Sequence, residues 1–223
     1  HHMLFDGSSL LPVLTSLWEA YLALVAGQAP VLLPHPVSYG DFVAWERDMM
    51  ASAAGQEHLA YWQQQLKGPL PVLELPTDRP RWAAAPLGEG AVHTQALSPE
   101  LSRAIRTLAQ AQEVSLSVVF LALFDVLLYR YSGQEEVIVG MPTIGRPQEE
   151  FDNEVGYFVN MLAIRAQTLG RQTCNDFLQE LQLTVVDGLD HVAYPFPALV
   201  RPLNIPRHDE HQPIFQVAFV YQN

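Results

Sequence analysis

Two imidazoles, a carboxylate and a glycine stand close together at the head of the chain: His1, His2, Asp6 and Gly7. An imidazole titrates near neutral pH, so it can take a proton from an attacking nucleophile. A carboxylate four residues after His2 can orient that imidazole, cap the helix that follows, or pair with an arginine. A glycine leading into an apolar helix offers backbone N–H groups to a developing oxyanion. Together these groups suit acyl transfer. The same His-His-Met opening is also what the end of an expression tag, followed by an initiator methionine at Met3, would look like. These seven residues alone do not separate the two readings.

Other polar groups carry less. His208, Asp209 and His211 lie on a proline-flanked loop without a further ligand and read as surface residues, so no metal site is expected. Glu57-His58 lacks the second histidine of a zincin helix, and Gly88-Glu89-Gly90 reads as linker. Neither a Walker loop nor a dinucleotide fingerprint is present, so no cofactor bound by the domain itself is expected. Cys174, the single cysteine, excludes an internal disulfide and fits a reducing cytoplasm. It reads as a small helix-start residue rather than a nucleophile.

The 223 residues are 49% hydrophobic and 16% charged, which suits a globular protein with a sizeable core. The net charge of −12, without a basic stripe, argues against nucleic acid and anionic membranes as partners. The longest apolar run, Val118 to Tyr129, is broken by Asp125 and falls short of the ~20 residues of a spanning helix.

The pattern positions these residues as follows. Leu10, Leu14, Leu17, Tyr21 and Leu24 mark a helix ending at Gly27, with Ser8 or Ser9 as its cap. A second helix is predicted from about Tyr39 to Leu66, interrupted near Gly55. Prolines 69, 71, 76, 80 and 86 then forbid helix or central strand. Residues 1–68 are thus read as the end of one lobe, 69–90 as a crossover, and 91–223 as a second, incomplete lobe. Ala91 to Leu97 is expected as a strand. Ser98-Pro99-Glu100 opens a helix ending near Glu113, and another runs from Ser115 to Gly133. Strands are expected at Val137–Gly140, Tyr157–Ala166 and Phe215–Tyr221, with a helix from Asn175 to about Asp190. Alternating strands and helices predict an α/β fold. Both ends read as cut from something larger.

Six motifs now stand in order: HHMLFDG at 1–7, YGDFVAW at 39–45, VGMP at 139–142 followed by Gly145-Arg146, GYFVN at 156–160, HVAYPF at 191–196, and PIFQV at 213–217. They resemble HHxxxDG, YxDFAxW, GxP…GR, GxFVN, HQDYPF and PLFQV of the condensation domains of non-ribosomal peptide synthetases. Val43 replaces a small or apolar residue, and Val192 and Ala193 replace Gln and Asp. A tag would have to imitate the first motif and be followed by the rest, so the acyl-transfer reading gains. The resemblance implies a two-lobe, chloramphenicol acetyltransferase-like α/β fold, here partial.

It also implies amide formation between an acyl or peptidyl thioester on one carrier domain and the amine of an aminoacyl thioester on another. The substrates would ride on the carriers' phosphopantetheine arms. Upstream and downstream carrier (thiolation) domains and an adjacent adenylation domain are the implied partners. The resemblance makes His2 the base or amine-positioning group, and Gly7 an oxyanion donor. His1 is structural, and Asp6 and Arg146 form a structural ion pair. Ser9 and Asn160 are candidate substrate contacts, with helix cap and strand end as their other readings. Tyr39 and Trp45 read as packing residues. Epimerization, a stand-alone acyltransferase and a non-catalytic docking domain are the alternatives; heterocyclization is disfavoured because it carries aspartates where His1 and His2 stand. The piece alone is expected to be inactive and poorly soluble, with sheet edges and apolar faces uncovered.

Overall fold

The structure, a computed structural model, describes residues 2–31, 37–78, 90–167, 172–203 and 212–222. His1, residues 79–89 of the expected crossover (Gly88 and Glu89 among them), His208, Asp209 and His211 therefore lie outside the described residues. The chain forms a mixed α/β fold of two compact units interleaved along the sequence. One comprises 1–62, 142–161 and 191–199; the other comprises 63–141, 162–190 and 200–223.

The first unit holds helix α1 (Leu10–Val25), α2 (Tyr39–Ala51), most of α3 (Ala53–Gln65) and the short α7 (Phe196–Leu199). Helix α2 starts where Ser38 and Asp41 cap each other in a reciprocal box. The helical run breaks at Ser52, just before the predicted interruption at Gly55. Phe42 of α2 meets Phe158 at 4.6 Å between ring centroids and Phe151 at 5.6 Å. Val37, Tyr39 and Trp45 pack around this aromatic cluster, which is the core beneath the site. Aromatic pairs add about 0.5–1.5 kcal/mol each beyond their burial. Helix α1 is different: none of its residues is buried, and leucines, Trp18 and Tyr21 face outward.

The second unit holds α4 (Pro99–Ala111), α5 (Leu116–Ser132) and α6 (Cys174–Asp190), with α5 packed on both others. Ser98 and Ser115 each accept the first-turn amide expected of a cap, and Gly133 ends α5 in a left-handed conformation. The sheet has the order β2-β1-β3, from β1 (Glu136–Thr143), β2 (Asn160–Gln167) and β3 (Val217–Ala218). β1 and β3 are parallel, with Val139 opposite Val217. Leu121, Val137, Val139, Leu162, Ile164 and Leu178 are buried in its core. Arg165 of β2 pairs with Glu136 at 2.7 Å and donates to the carbonyls of Gln65 and Lys67, tying down the end of α3.

Three predicted elements differ. Residues 91–97 form no strand: they run exposed, outside the sheet that would satisfy their backbone groups. The predicted strand at Tyr157 begins only at Asn160, because the Phe158 amide is taken by the Asp6 carboxylate. The last strand shrinks to two residues.

Candidate active site

The histidine loop is anchored from within the first unit. The Asp6 amide donates to the Gly156 carbonyl at 2.9 Å, and the Asp6 side chain is only 1% exposed. Its Oδ1 accepts from the Ser9 amide at 2.9 Å, the Ser9 hydroxyl at 2.8 Å and Arg146 Nη2 at 3.1 Å. Its Oδ2 accepts from the Phe158 amide at 3.0 Å. Burial by itself would push this carboxyl's pKa up. The Ser9 hydroxyl, the amides of Phe158 and Ser9, and the Arg146 charge outweigh burial and hold it below the usual carboxylate value.

Arg146 is held as tightly. Its side chain is 3% exposed, Nη1 donates to the Phe151 carbonyl at 2.9 Å, and the guanidinium lies 4.0 Å from the centre of the Phe158 ring. Such a cation over an aromatic face is attracted by the ring quadrupole. Gly145 must be glycine: its φ is +66°, and a Cβ there would sit 1.7 Å from the Phe158 carbonyl oxygen. Gly156 is equally constrained, because a Cβ would meet the Tyr39 ring at 2.2 Å. These two glycines let the 145–158 loop wrap the ion pair.

His2 stands exposed at the edge of this network. Its Nδ1 lies 2.9 Å from the Phe5 carbonyl oxygen. A carbonyl oxygen only accepts, so Nδ1 is the donor of this bond, and Nε2 is the ring nitrogen left to face a substrate. The imidazole also meets the Tyr157 ring nearly at right angles, with centroids 5.6 Å apart. Gly7 has open space around it, with no atom within 4 Å of a Cβ built there. Among the described residues its N–H has no acceptor.

The structure gives Ser9 and Asn160 interior work. Ser9 is fully buried, and its hydroxyl lies within reach of Asp6 Oδ1, the Gly156 carbonyl and amide, and Arg146. It makes no side-chain cap to α1. Asn160 Nδ2 donates to the carbonyls of Val192 and Tyr194, and Oδ1 accepts from the amides of Met161 and Phe196. That uses both donors and both lone pairs of the amide, which leaves neither for a substrate. Asn160 clamps the 192–196 turn instead.

Two features have no signature in local sequence. The Tyr39 hydroxyl, with its pKa raised chiefly by burial, donates to the Tyr157 carbonyl at 2.8 Å. His58 Nδ1 lies 2.9 Å from His191 Nδ1, 133 positions away, while Tyr61 stacks on His191 at 4.0 Å. The Trp62 indole N–H donates to the His191 carbonyl at 3.0 Å. Among the described residues, no group of three or more His, Cys, Asp or Glu is placed to hold a metal ion. No single helix there is long and apolar enough to cross a membrane.

The family model of the condensation domain matches residues 1–223. Polyketide synthase PksN of Bacillus subtilis is 48% identical over all 223 residues, which span 4% of that protein. Phosphinothricin tripeptide synthetase PhsC of Streptomyces viridochromogenes is 36% identical over the same residues, 20% of its length. Among solved structures, the X-domain from teicoplanin biosynthesis superposes with a TM-score of 0.89 at 21% identity, over 98% of this chain and 49% of that one. A four-domain nonribosomal peptide synthetase, AB3403, gives 0.80 at 25% identity, over 98% of this chain and 16% of that one. The chain thus spans a small part of the curated relatives and about half of the isolated X-domain. With the family model matched from end to end and these folds superposed on it, the chain belongs to the condensation-domain family.

Proposed function

We propose that the chain is part of an acyltransferase that forms amide bonds between carrier-bound substrates in non-ribosomal or hybrid polyketide–peptide synthesis. The observation that carries this reading is the placement of His2: Nδ1 faces the Phe5 carbonyl at 2.9 Å, the residue is exposed, and among the described residues no hydrogen-bond partner meets Nε2. Membership of the condensation-domain family supports it, as does likeness to a polyketide synthase and a tripeptide synthetase.

The chemistry follows from that geometry. An α-amine has a pKa of about 7.7–8.0 and attacks only when neutral. Its nitrogen adds to the thioester carbonyl carbon, and His2 Nε2 takes the N–H proton or holds the amine by hydrogen bonding. The Gly7 N–H faces the oxyanion. The C–S bond then breaks, and the departing thiolate takes a proton to leave as the phosphopantetheine thiol. General-base help contributes about 10²–10⁴ in rate. Holding two tethered substrates together contributes more by removing translational entropy. Asp6, Ser9 and Arg146 act on structure, and His1 joins them in this reading. Upstream and downstream carrier domains deliver the substrates, and an adenylation domain loads the acceptor.

The test is product analysis. The full-length protein is incubated with an acyl-loaded donor carrier and an aminoacyl-loaded acceptor carrier. Amide product on the acceptor carrier supports the reading. Inversion of the α-carbon would indicate epimerization, and carrier binding without chemistry a docking role.

A further inference from the structure

We infer that Tyr157 is the positioning residue for His2, and that Tyr39 places Tyr157. The inference rests on the reading of His2 as the reacting imidazole. The hydrogen bond from Nδ1 to the Phe5 carbonyl fixes one edge of the ring. By itself it leaves the imidazole exposed and free to swing about its side-chain bonds. The Tyr157 ring stands at 78° to the imidazole, 5.6 Å away, and closes one direction of that swing. Tyr157 is itself 40% exposed, so its ring is a wall beside the imidazole rather than part of the core.

The wall is built from behind. The Tyr39 hydroxyl holds the Tyr157 carbonyl at 2.8 Å. Tyr39 reaches it only because Gly156 has no Cβ, and it packs edge-on against Phe158 at 5.2 Å. The next residues on either side are pinned as well: the Gly156 carbonyl by the Asp6 amide, and the Phe158 amide by the Asp6 carboxylate. The backbone under Tyr157 therefore has little freedom, and its ring is delivered to one place. An aromatic edge-to-face contact of this kind corresponds to about a three- to tenfold bias in population. Misplacement of a reacting group lowers rate without weakening substrate binding.

The test compares variants of the full-length protein in single-turnover amide formation with both carriers loaded. Tyr157→Ala is expected to lower the maximal rate about three- to tenfold, with unchanged half-saturation by the acceptor carrier. Tyr157→Phe, which keeps the ring, restores at least half of the lost rate. Tyr39→Phe, which removes only the bond to the Tyr157 carbonyl, lowers the rate in the same direction. Imidazole ¹⁵N shifts of His2 supply a readout that general destabilisation does not move: Tyr157→Ala mixes the two tautomers, where the parent shows Nδ1–H. Parent rate and parent tautomer in Tyr157→Ala would overturn the inference while leaving His2 as the base. A His2→Ala protein with parent rate would instead remove the reading beneath it.

Discussion

The buried Asp6–Arg146 pair sets a large, checkable stability penalty. Asp6→Ala removes the acceptor of four donors: the Ser9 amide and hydroxyl, the Phe158 amide and Arg146 Nη2. The Ser9 hydroxyl can turn to the Gly156 carbonyl, 2.9 Å away, so that loss is small. The guanidinium keeps the Ser9 hydroxyl oxygen, 3.2 Å from Nη2, but that neutral acceptor does not replace the lost charge. It stays buried over Phe158 with its Phe151 bond but without a counter-ion. Breaking a buried pair from one side costs about 3–5 kcal/mol, a large share of the ~5–15 kcal/mol that holds a domain folded. Removing both charges is milder, since an apolar pair of similar volume is often neutral. Asp6→Ala with Arg146→Met is therefore expected to lose less than the sum of its parts.

The assay is urea unfolding of the condensation domain containing this chain, followed by Trp45 and Trp62 fluorescence. The pair also has a pH signature. The folded carboxyl titrates below its unfolded value of 3.8, so its contribution is complete above that value and is lost as pH falls through the lowered, folded one. A loss under about 1 kcal/mol for Asp6→Ala, or strict additivity in the double variant, would refute this account. A fully stable but inactive Asp6→Ala protein would move the carboxylate into the chemistry.

Three further outcomes are expected. Asp125 in α5 is fully buried with neither oxygen partnered among the described residues, and burial pushes its pKa up to about 7. Stability should therefore fall as pH rises from 3.8 to 7, and Asp125→Leu should flatten that slope and gain about 4 kcal/mol at about pH 8 in urea melts. Gly145→Ala meets the Phe158 carbonyl and a positive φ, so it should lose at least about 2 kcal/mol or fail to fold, read by soluble yield and melting. His58 is held below the ordinary imidazole value of 6.5 first by burial and then by His191, with Glu57 opposing. Below that value the unfolded chain binds a proton the folded one resists; stability falls, and His58→Phe should flatten that limb in a melt series from about pH 7 to 5.

What was legible in the sequence was local. Ser98-Pro99, Ser115 and Gly133 carry their cap chemistry within a few residues, and the structure uses each as a cap or stop. Ser9 has the same local signature, but its hydroxyl is recruited by Asp6 and by Gly156, 147 positions away. Residues 91–97 have strand-like composition, yet a strand exists only where a neighbour takes its backbone groups. Asn160 reads in the sequence as a substrate contact or a strand end. Only its four partners, three of them in the 192–196 turn, show that its amide is spent. The His58–His191 contact joins segments no spacing rule connects, and the Tyr39 hydroxyl finds its acceptor by the same long-range closure. The uncovered apolar face of α1 is likewise foreseeable only as a general exposure, not as this helix.

One imidazole, that of His2, carries the proposed chemistry. Single-turnover amide formation should be timed with both carriers loaded, comparing the full-length protein with its His2→Ala variant at matched folding. The expected result is a fall of at least about a hundredfold, the lower bound of general-base help. An unchanged rate would contradict it.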